Sequence, residues 1–183
     1  MPDMIPQGNV FLVGPMGAGK TTIGRHLATL LSKRFVDVDQ EIEKRTGVTI
    51  PIIFEIEGEA GFRRRECAVI DELTRDRDIV LATGGGAVLM EENRRHLKQR
   101  GTVVYLQADI DTLVERTRRD RNRPLLQTEN PRGKIEELLQ QREPIYRETA
   151  DVVVETGQRA PSSVARDIAG RLKALNTDEN PER

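Results

Sequence analysis

Residues Gly14-Pro15-Met16-Gly17-Ala18-Gly19-Lys20-Thr21 follow an apolar run, Asn9 to Val13, and precede a stretch of helical periodicity. A strand that turns through this Gly-rich octet into a helix is a phosphate-binding loop in its proper setting. Gly14, Gly17 and Gly19 lack a Cβ, so the backbone can bend with positive φ and bring successive N–H groups close to phosphate oxygens. The helix N-terminus adds free N–H groups and a partial positive charge. Lys20 supplies a point charge for β- and γ-phosphates, and the Thr21 hydroxyl is placed to ligate magnesium. A Gly-rich turn without a ligand is the alternative; agreement of strand, loop and helix favours a bound nucleoside triphosphate.

At 183 residues the chain suits one compact domain with a substantial core. Its 29 Lys plus Arg oppose 30 Asp plus Glu, so no global field recruits nucleic acid and anion binding must be local. One cysteine, Cys67, excludes an internal disulfide framework. It falls in the apolar-periodic run Phe62, Val69, Ile70, Leu73 and reads as a small half-buried residue rather than a nucleophile. No stretch approaches a membrane span and the N-terminus lacks a secretory pattern, so a cytoplasmic protein without a membrane partner is expected.

β-rich runs at Val10–Val13, Phe35–Val36, Ile79–Ala82, Val103–Leu106 and Val152–Val154 alternate with helix-period segments, which predicts a parallel sheet covered by helices. A helix from Lys20 places Ile23, Leu27, Leu30 and Leu31 on one face, and the last helix does the same with Val164, Ile168, Leu172 and Leu175. A longer insertion, about residues 39–77, interrupts the alternation with helical patterns broken at Gly47, Pro51 and Gly58, and is a natural substrate-binding lobe. The stretch 116–133, rich in Arg, Asn, Pro and Gly, reads as a mobile lid. Residues 1–175 form the expected domain; 176–183 are polar and are expected to be a disordered tail.

Four polar constellations bear on chemistry. Asp37 and Asp39 straddle the end of the second strand, where ligands bind in open α/β sheets, and alternation in an extended segment sends both to one side. One can hold magnesium-bound water while the other orients or deprotonates an attacking hydroxyl. Either could instead cap the helix starting near Gln40, with Asp39 well placed to do so. Phe62-Arg63-Arg64-Arg65-Glu66 points three arginines about 100° apart, so one of them beside the buried face can meet a carboxylate while a solvated charged face remains open for all. Thr83-Gly84-Gly85-Gly86 at the end of the third strand lets backbone N–H groups approach a ligand, or is a flexible turn. Arg116, Arg118, Arg119, Arg121 and Arg123 populate the lid, where one or two can neutralise charge on a transferring phosphoryl group. Pro144 is expected to end a helix and leave Arg142 in its last turn, as a helix-terminal cation or a ligand-binding group.

The ordered set of the phosphate loop, Asp37-Val38-Asp39, Phe62-Arg63, Thr83 to Gly86, Arg123-Pro124-Leu125-Leu126, and Arg142 with Pro144 and Tyr146 resembles the shikimate kinase family, over about residues 9–172. That resemblance implies a three-layer P-loop fold with a five-stranded parallel sheet in order 2-3-1-4-5, an insertion that binds shikimate and a lid that closes over ATP. It implies ATP and magnesium, with Gly17, Ala18, Gly19, Lys20, Thr21 and Thr22 on the phosphates and Thr21 and Asp37 at the metal. Asp39, Arg63, Gly84, Gly85, Gly86 and Arg142 would surround shikimate, Asp39 would be the base or orienter, and Lys20 and Arg123 would join it in catalysis. Arg116 would lie against adenine, with Gly157, Gln158 and Arg159 at its edge. A monomer is expected.

Two positions depart from some relatives: Ala82 stands where they have serine near the metal, and Ile52 where they have tryptophan. Neither removes a charged group that transfer needs. Two other readings stay open, a kinase of another small acceptor such as gluconate or a nucleoside monophosphate, and a nucleotide-binding switch without transfer. The absence of an Asn-Lys-x-Asp element argues against guanine recognition.

Overall fold

The five β-rich runs all become strands of one sheet. In the computed structural model, which describes residues 8–118, 120 and 122–178, these are β1 (Asn9–Val13), β2 (Arg34–Asp37), β3 (Ile79–Ala82), β4 (Gly101–Gln107) and β5 (Val152–Glu155). The helices between them are α1 (Lys20–Leu31), α2 (Val38–Thr46), α3 (Ile50–Leu73), α4 (Glu91–Arg100), α5 (Ile110–Thr117), α6 (Pro131–Thr149) and α7 (Pro161–Asp178). The strands lie in the order β2-β3-β1-β4-β5, every pairing parallel, with Leu12 between Ala82 and Val104. From β1 the chain goes to one edge for β2 and β3, then crosses to the other for β4 and β5. A crevice therefore opens over the C-terminal ends of the central strands.

Alternation along the strands divides the core into two layers. Val10, Leu12, Val80, Leu106 and Val154 pack on Ile23 and Leu27 of α1 and Val164 and Ile168 of α7. Phe11, Val13, Leu81, Val103 and Tyr105 face the other way, onto Ile70 of α3, Leu97 of α4 and Tyr146 of α6. Helices on both faces satisfy a parallel sheet whose strands are apolar on both sides.

The insertion is α2 followed by α3. Gly47, at φ 73, ends α2 and donates its N–H to the Glu43 carbonyl. Pro51 opens α3 instead of breaking a helix, because a first-turn N–H has no helical partner to lose. Gly58 does interrupt the helix, at φ 70 and ψ 179, and α3 is two helices joined at that residue.

Four expectations are corrected. Helix α6 runs straight through Pro144, so Arg142 lies in its interior and not in a last turn. Pro144 and Gln140, whose carbonyl it leaves unpaired, are both on the exposed face, while buried Tyr146 anchors the turn beyond by donating from its hydroxyl to the Gly85 carbonyl at 2.5 Å. The cap of α2 is Asp37, not Asp39: its Oδ1 accepts from Gln40 N at 3.0 Å. The helix begins at Val38, so Asp39 reaches the crevice from a first helical turn and not by strand alternation. Helix α5 runs to Thr117 and α6 starts at Pro131, which shortens the irregular stretch expected over 116–133. Finally α7 continues to Asp178 across the first residues of the expected tail, Thr177 Oγ1 donating to the Lys173 carbonyl at 3.0 Å. Once a helix is nucleated each further residue adds a hydrogen bond without needing an apolar face; residues 179–183 lie outside the described residues.

Candidate active site

The loop after β1 bends as its glycines allow, with φ of 144, 85 and 95 at Gly14, Gly17 and Gly19, and delivers the chain to the start of α1 at Lys20. Lys20 is buried, and its Nζ curls back to donate to the Gly14 and Pro15 carbonyls at 2.5 and 2.9 Å. Burial, reinforced by the Arg123 guanidinium and opposed by Asp39 and Asp37, lowers its pKa to about 7. Thr21 Oγ1 donates to Asp37 Oδ2 at 2.6 Å. Asp37 thus caps α2 with one oxygen and meets the phosphate loop with the other. A cleft of about 400 Å³ opens here, lined by Gly17, Gly19, Lys20, Thr21, Thr22, Asp37, Asp39, Arg116 and Arg123 among others. Ala18 is fully buried and lines neither this cleft nor the pocket beside it.

A second, narrower pocket adjoins it, lined by Asp39, Phe62, Arg63, Glu66, the three consecutive glycines and Arg142. Asp39, Gly84, Gly85, Asn122 and Arg123 line both. The glycines are required by what crowds them. A Cβ on Gly86 would sit 2.2 Å from the Arg63 guanidinium, and one on Gly84 would sit 2.7 Å from Glu66 Oε2 and 3.2 Å from Asp39 Oδ1. Arg142 Nη1 lies 3.6 Å from the corresponding point on Gly85. Side chains from α2, α3 and α6 therefore converge on one backbone segment after β3.

Both arginines here are buried, at 9% and 4% exposure for Arg63 and Arg142, whereas pattern alone favoured a solvated face for the first and a helix-terminal cation for the second. Arg64 and Arg65 point outward. Arg63 Nη1 donates to Glu66 Oε1 at 2.9 Å while its Nε has no partner. Glu66 is fully buried, Oε2 is unpartnered, and burial outweighs the attraction of Arg63 to raise its pKa to about 7. Asp39 is half-buried but its Oδ1 is sealed without a hydrogen bond. Desolvation first, then the Asp37 charge, hold its carboxyl above the usual range, against Arg123, Lys20 and Arg63.

The family model described as Shikimate kinase matches residues 16–173. The chain belongs to the shikimate kinase family. A shikimate kinase of Methylococcus capsulatus is 64% identical over 169 residues, covering 92% of this chain and 94% of that protein. Another, of Thiobacillus denitrificans, is 60% identical over 172 residues, 94% of each. Among solved structures, a shikimate kinase from Acinetobacter baumannii in complex with shikimate superposes with a TM-score of 0.88 at 53% identity, covering 97% of both chains. A gluconokinase from Sinorhizobium meliloti, at 18% identity and TM-score 0.60, shares the fold alone.

The remaining positions that shikimate kinase resemblance singles out are placed unevenly. Arg116 lines the larger cleft, but its Nη1 donates to the Gly17 and Ala18 carbonyls and its Nη2 to the Gly157 carbonyl, bracing the phosphate loop against the loop after β5. Arg159 is turned to the Glu155 carbonyl and the Asp167 carboxylate and lines neither pocket. Arg123 lines both, its Nε donating to Asp120 Oδ2 at 2.8 Å. Arg118 reaches Glu115 at 3.8 Å, and Arg119 and Arg121 lie outside the described residues. Ile52 is 39% exposed and lines neither pocket, whereas Phe54 and Ile50 do line the second. Glu66 and Asn122 escaped the sequence reading. The i,i+3 spacing of Arg63 and Glu66 was a signal for the first, but nothing local marks Asn122.

Proposed function

We propose that this chain transfers the γ-phosphoryl group of ATP to the 3-hydroxyl of shikimate, giving shikimate 3-phosphate and ADP on the route to chorismate and the aromatic amino acids. One observation carries the reading: Asp39, Arg63 and Arg142 meet at Gly84–Gly86 in a pocket that shares a wall with the phosphate cleft. Two buried guanidiniums match a carboxylate with paired hydrogen bonds, and an unpartnered carboxylate oxygen matches a hydroxyl.

In this reading Lys20 leaves the Gly14 and Pro15 carbonyls for the phosphates, and the N-terminus of α1 holds them with backbone N–H groups. Arg63 and Arg142 hold the acceptor carboxylate, which fixes the ring so that its 3-hydroxyl faces Asp39. The hydroxyl oxygen bonds to the γ-phosphorus as the bond to the ADP oxygen breaks, and the hydroxyl proton passes to an Asp39 oxygen. Positioning and charge neutralisation by Lys20 and Arg123 do most of the work, since such transition states ask for little covalent help. Thr21 and Asp37, one hydroxyl and one carboxylate side by side, are the residues that would hold magnesium, which would supply charge neutralisation for the transferring phosphoryl group.

The domain in this reading runs through α7 to Asp178, with 39–77 as the shikimate-binding insertion and the stretch between α5 and α6 as the lid. In this reading the chain works as a monomer. A cytoplasmic setting is supported by a single cysteine, and among the described residues no helix is long and apolar enough to cross a membrane. The test is ADP release by purified chain with ATP and magnesium, using shikimate, quinate and gluconate as acceptors. Shikimate-dependent release is expected, lost by about a hundredfold or more in Asp39→Asn. ATP binding without acceptor-dependent turnover, or a preference for gluconate, overturns it.

A further inference from the structure

The second and narrower tie between the two pockets runs through a residue that lines neither. Glu43 lies on α2, half-buried, and its Oε1 accepts two hydrogen bonds at 3.0 Å each. One comes from Ile50 N, a first-turn N–H of α3 with no helical partner of its own. The other comes from Asn122 Nδ2, 79 positions along the chain. Helix α3 carries Ile50, Phe54, Phe62, Arg63 and Glu66, the apolar and charged wall of the acceptor pocket. Asn122 precedes Arg123, and both line both pockets. These two are tied to one side chain, because Asp120 accepts from Asn122 N through Oδ1 at 2.9 Å and from Arg123 Nε through Oδ2 at 2.8 Å.

We infer that Glu43 is a positioning residue that couples nucleotide and acceptor binding, by joining the start of α3 to the turn that aims Arg123. The inference rests on the functional reading above. An acceptor held by Arg63 and Arg142 also packs on Ile50 and Phe54, and so immobilises both segments of α3, before and beyond the Gly58 break. Through Glu43 that also fixes Asn122 and Arg123, so a nucleotide arriving second has less to order and binds more tightly. Reciprocity requires the nucleotide to tighten the acceptor by the same factor. One hydrogen bond of differential stabilisation supplies about three- to tenfold.

The experiment is calorimetric titration of a non-hydrolysable ATP analogue with magnesium, with and without saturating shikimate, on the full chain and on Glu43→Ala, Glu43→Gln, Asn122→Ala and the double variant Glu43→Ala/Asn122→Ala. The unaltered chain is expected to bind the analogue about three- to tenfold more tightly with shikimate present. Glu43→Ala brings that ratio close to one, with shikimate affinity alone little changed and the KM for each substrate, at saturating levels of the other, raised by the factor the ratio loses. Glu43→Gln keeps a carbonyl oxygen that accepts both donors and restores the ratio, which repair of the fold alone would not require. The double variant matches the single ones, because both ends belong to one link. An unchanged ratio in Glu43→Ala, additive losses in the double variant, or a ratio near one in the unaltered chain overturns the inference. The functional reading fails by a separate outcome, the absence of shikimate-dependent turnover in the unaltered chain or its preference for gluconate.

Discussion

Arg63 and Glu66 form an ion pair at 2.9 Å, one helical turn apart, in which the carboxylate is wholly enclosed and the guanidinium keeps an unpartnered Nε. The terminal nitrogens of Arg63 are taken, Nη1 by Glu66 and Nη2 by Glu59 at 3.4 Å, and its Nε is left unsatisfied. Arg142, equally buried, approaches the same glycine segment from α6. Substituting either arginine by Ala is therefore expected to raise the KM for shikimate by about thirty- to a hundredfold, the loss of a charge-assisted pair worth about 2–3 kcal/mol, with little change in the KM for ATP. The two should differ in stability. Arg63→Ala strands a buried carboxylate and lowers the melting temperature, while Arg142→Ala leaves no such partner behind. Steady-state kinetics with each substrate varied, beside thermal melts, checks both halves; equal effects on the two substrates would contradict the carboxylate role.

Glu66 makes a separate pH prediction. Its pKa is about 7 in the folded chain against 4.5 for an ordinary glutamate, so between those values the folded state holds a proton that the unfolded state has lost. Its contribution to stability is therefore full below about pH 4.5, declines as pH rises, and levels above about pH 7. Glu66→Gln, which keeps the shape and abolishes the titration, should remove that slope. Denaturant midpoints at pH 5, 6, 7 and 8 compare the two; parallel curves would mean Glu66 is already ionised at pH 5.

The fold was open to sequence reasoning because its signals are local and repeated. Short β-rich apolar runs set between helix-period segments marked each strand, and the glycines of the phosphate loop demanded the positive φ they adopt. What misled it was local chemistry overridden by distant packing. Pro144 does stop isolated helices, but Tyr146 beyond it is held by Gly85, 61 positions away. On paper either Asp37 or Asp39 could cap, with Asp39 well placed to do so, and only the start of α2 decided that Asp37 caps and Asp39 reaches both pockets. Burial separates Arg63 from Arg64 and Arg65, and burial depends on where α3 lies, which no spacing within the run encodes. Glu43 and Asn122 show the limit most sharply, since their contact spans 79 positions.

Gly86 offers a test that removes no charge. Its φ of −97° suits any residue, so an added methyl meets no backbone strain, only the Arg63 guanidinium at 2.2 to 2.7 Å. That group ends a flexible side chain and can swing aside without unfolding the protein. Gly86→Ala is expected to melt within a few degrees of the unaltered chain and to raise the shikimate KM by about tenfold or more, as Arg63 loses its aim. Unchanged kinetics would show that Arg63 reaches the acceptor from elsewhere.

Lys20 links nucleotide binding to proton uptake. With a pKa of about 7 in the ligand-free chain, much of it is neutral at pH 8, and a triphosphate prefers the ammonium form. Binding must then draw a proton from solution, and affinity must fall as pH rises above 7, by up to about tenfold per unit, until the pKa of the bound state is reached. Calorimetry of the ATP analogue at pH 8 in buffers of different ionisation enthalpy should report an uptake approaching one proton, falling toward zero at pH 6. Lys20→Ala should abolish both the uptake and turnover while leaving the melt intact, since the side chain's present partners are carbonyls of its own loop. Uptake that persists in Lys20→Ala would assign the proton to another group and leave Lys20 charged throughout.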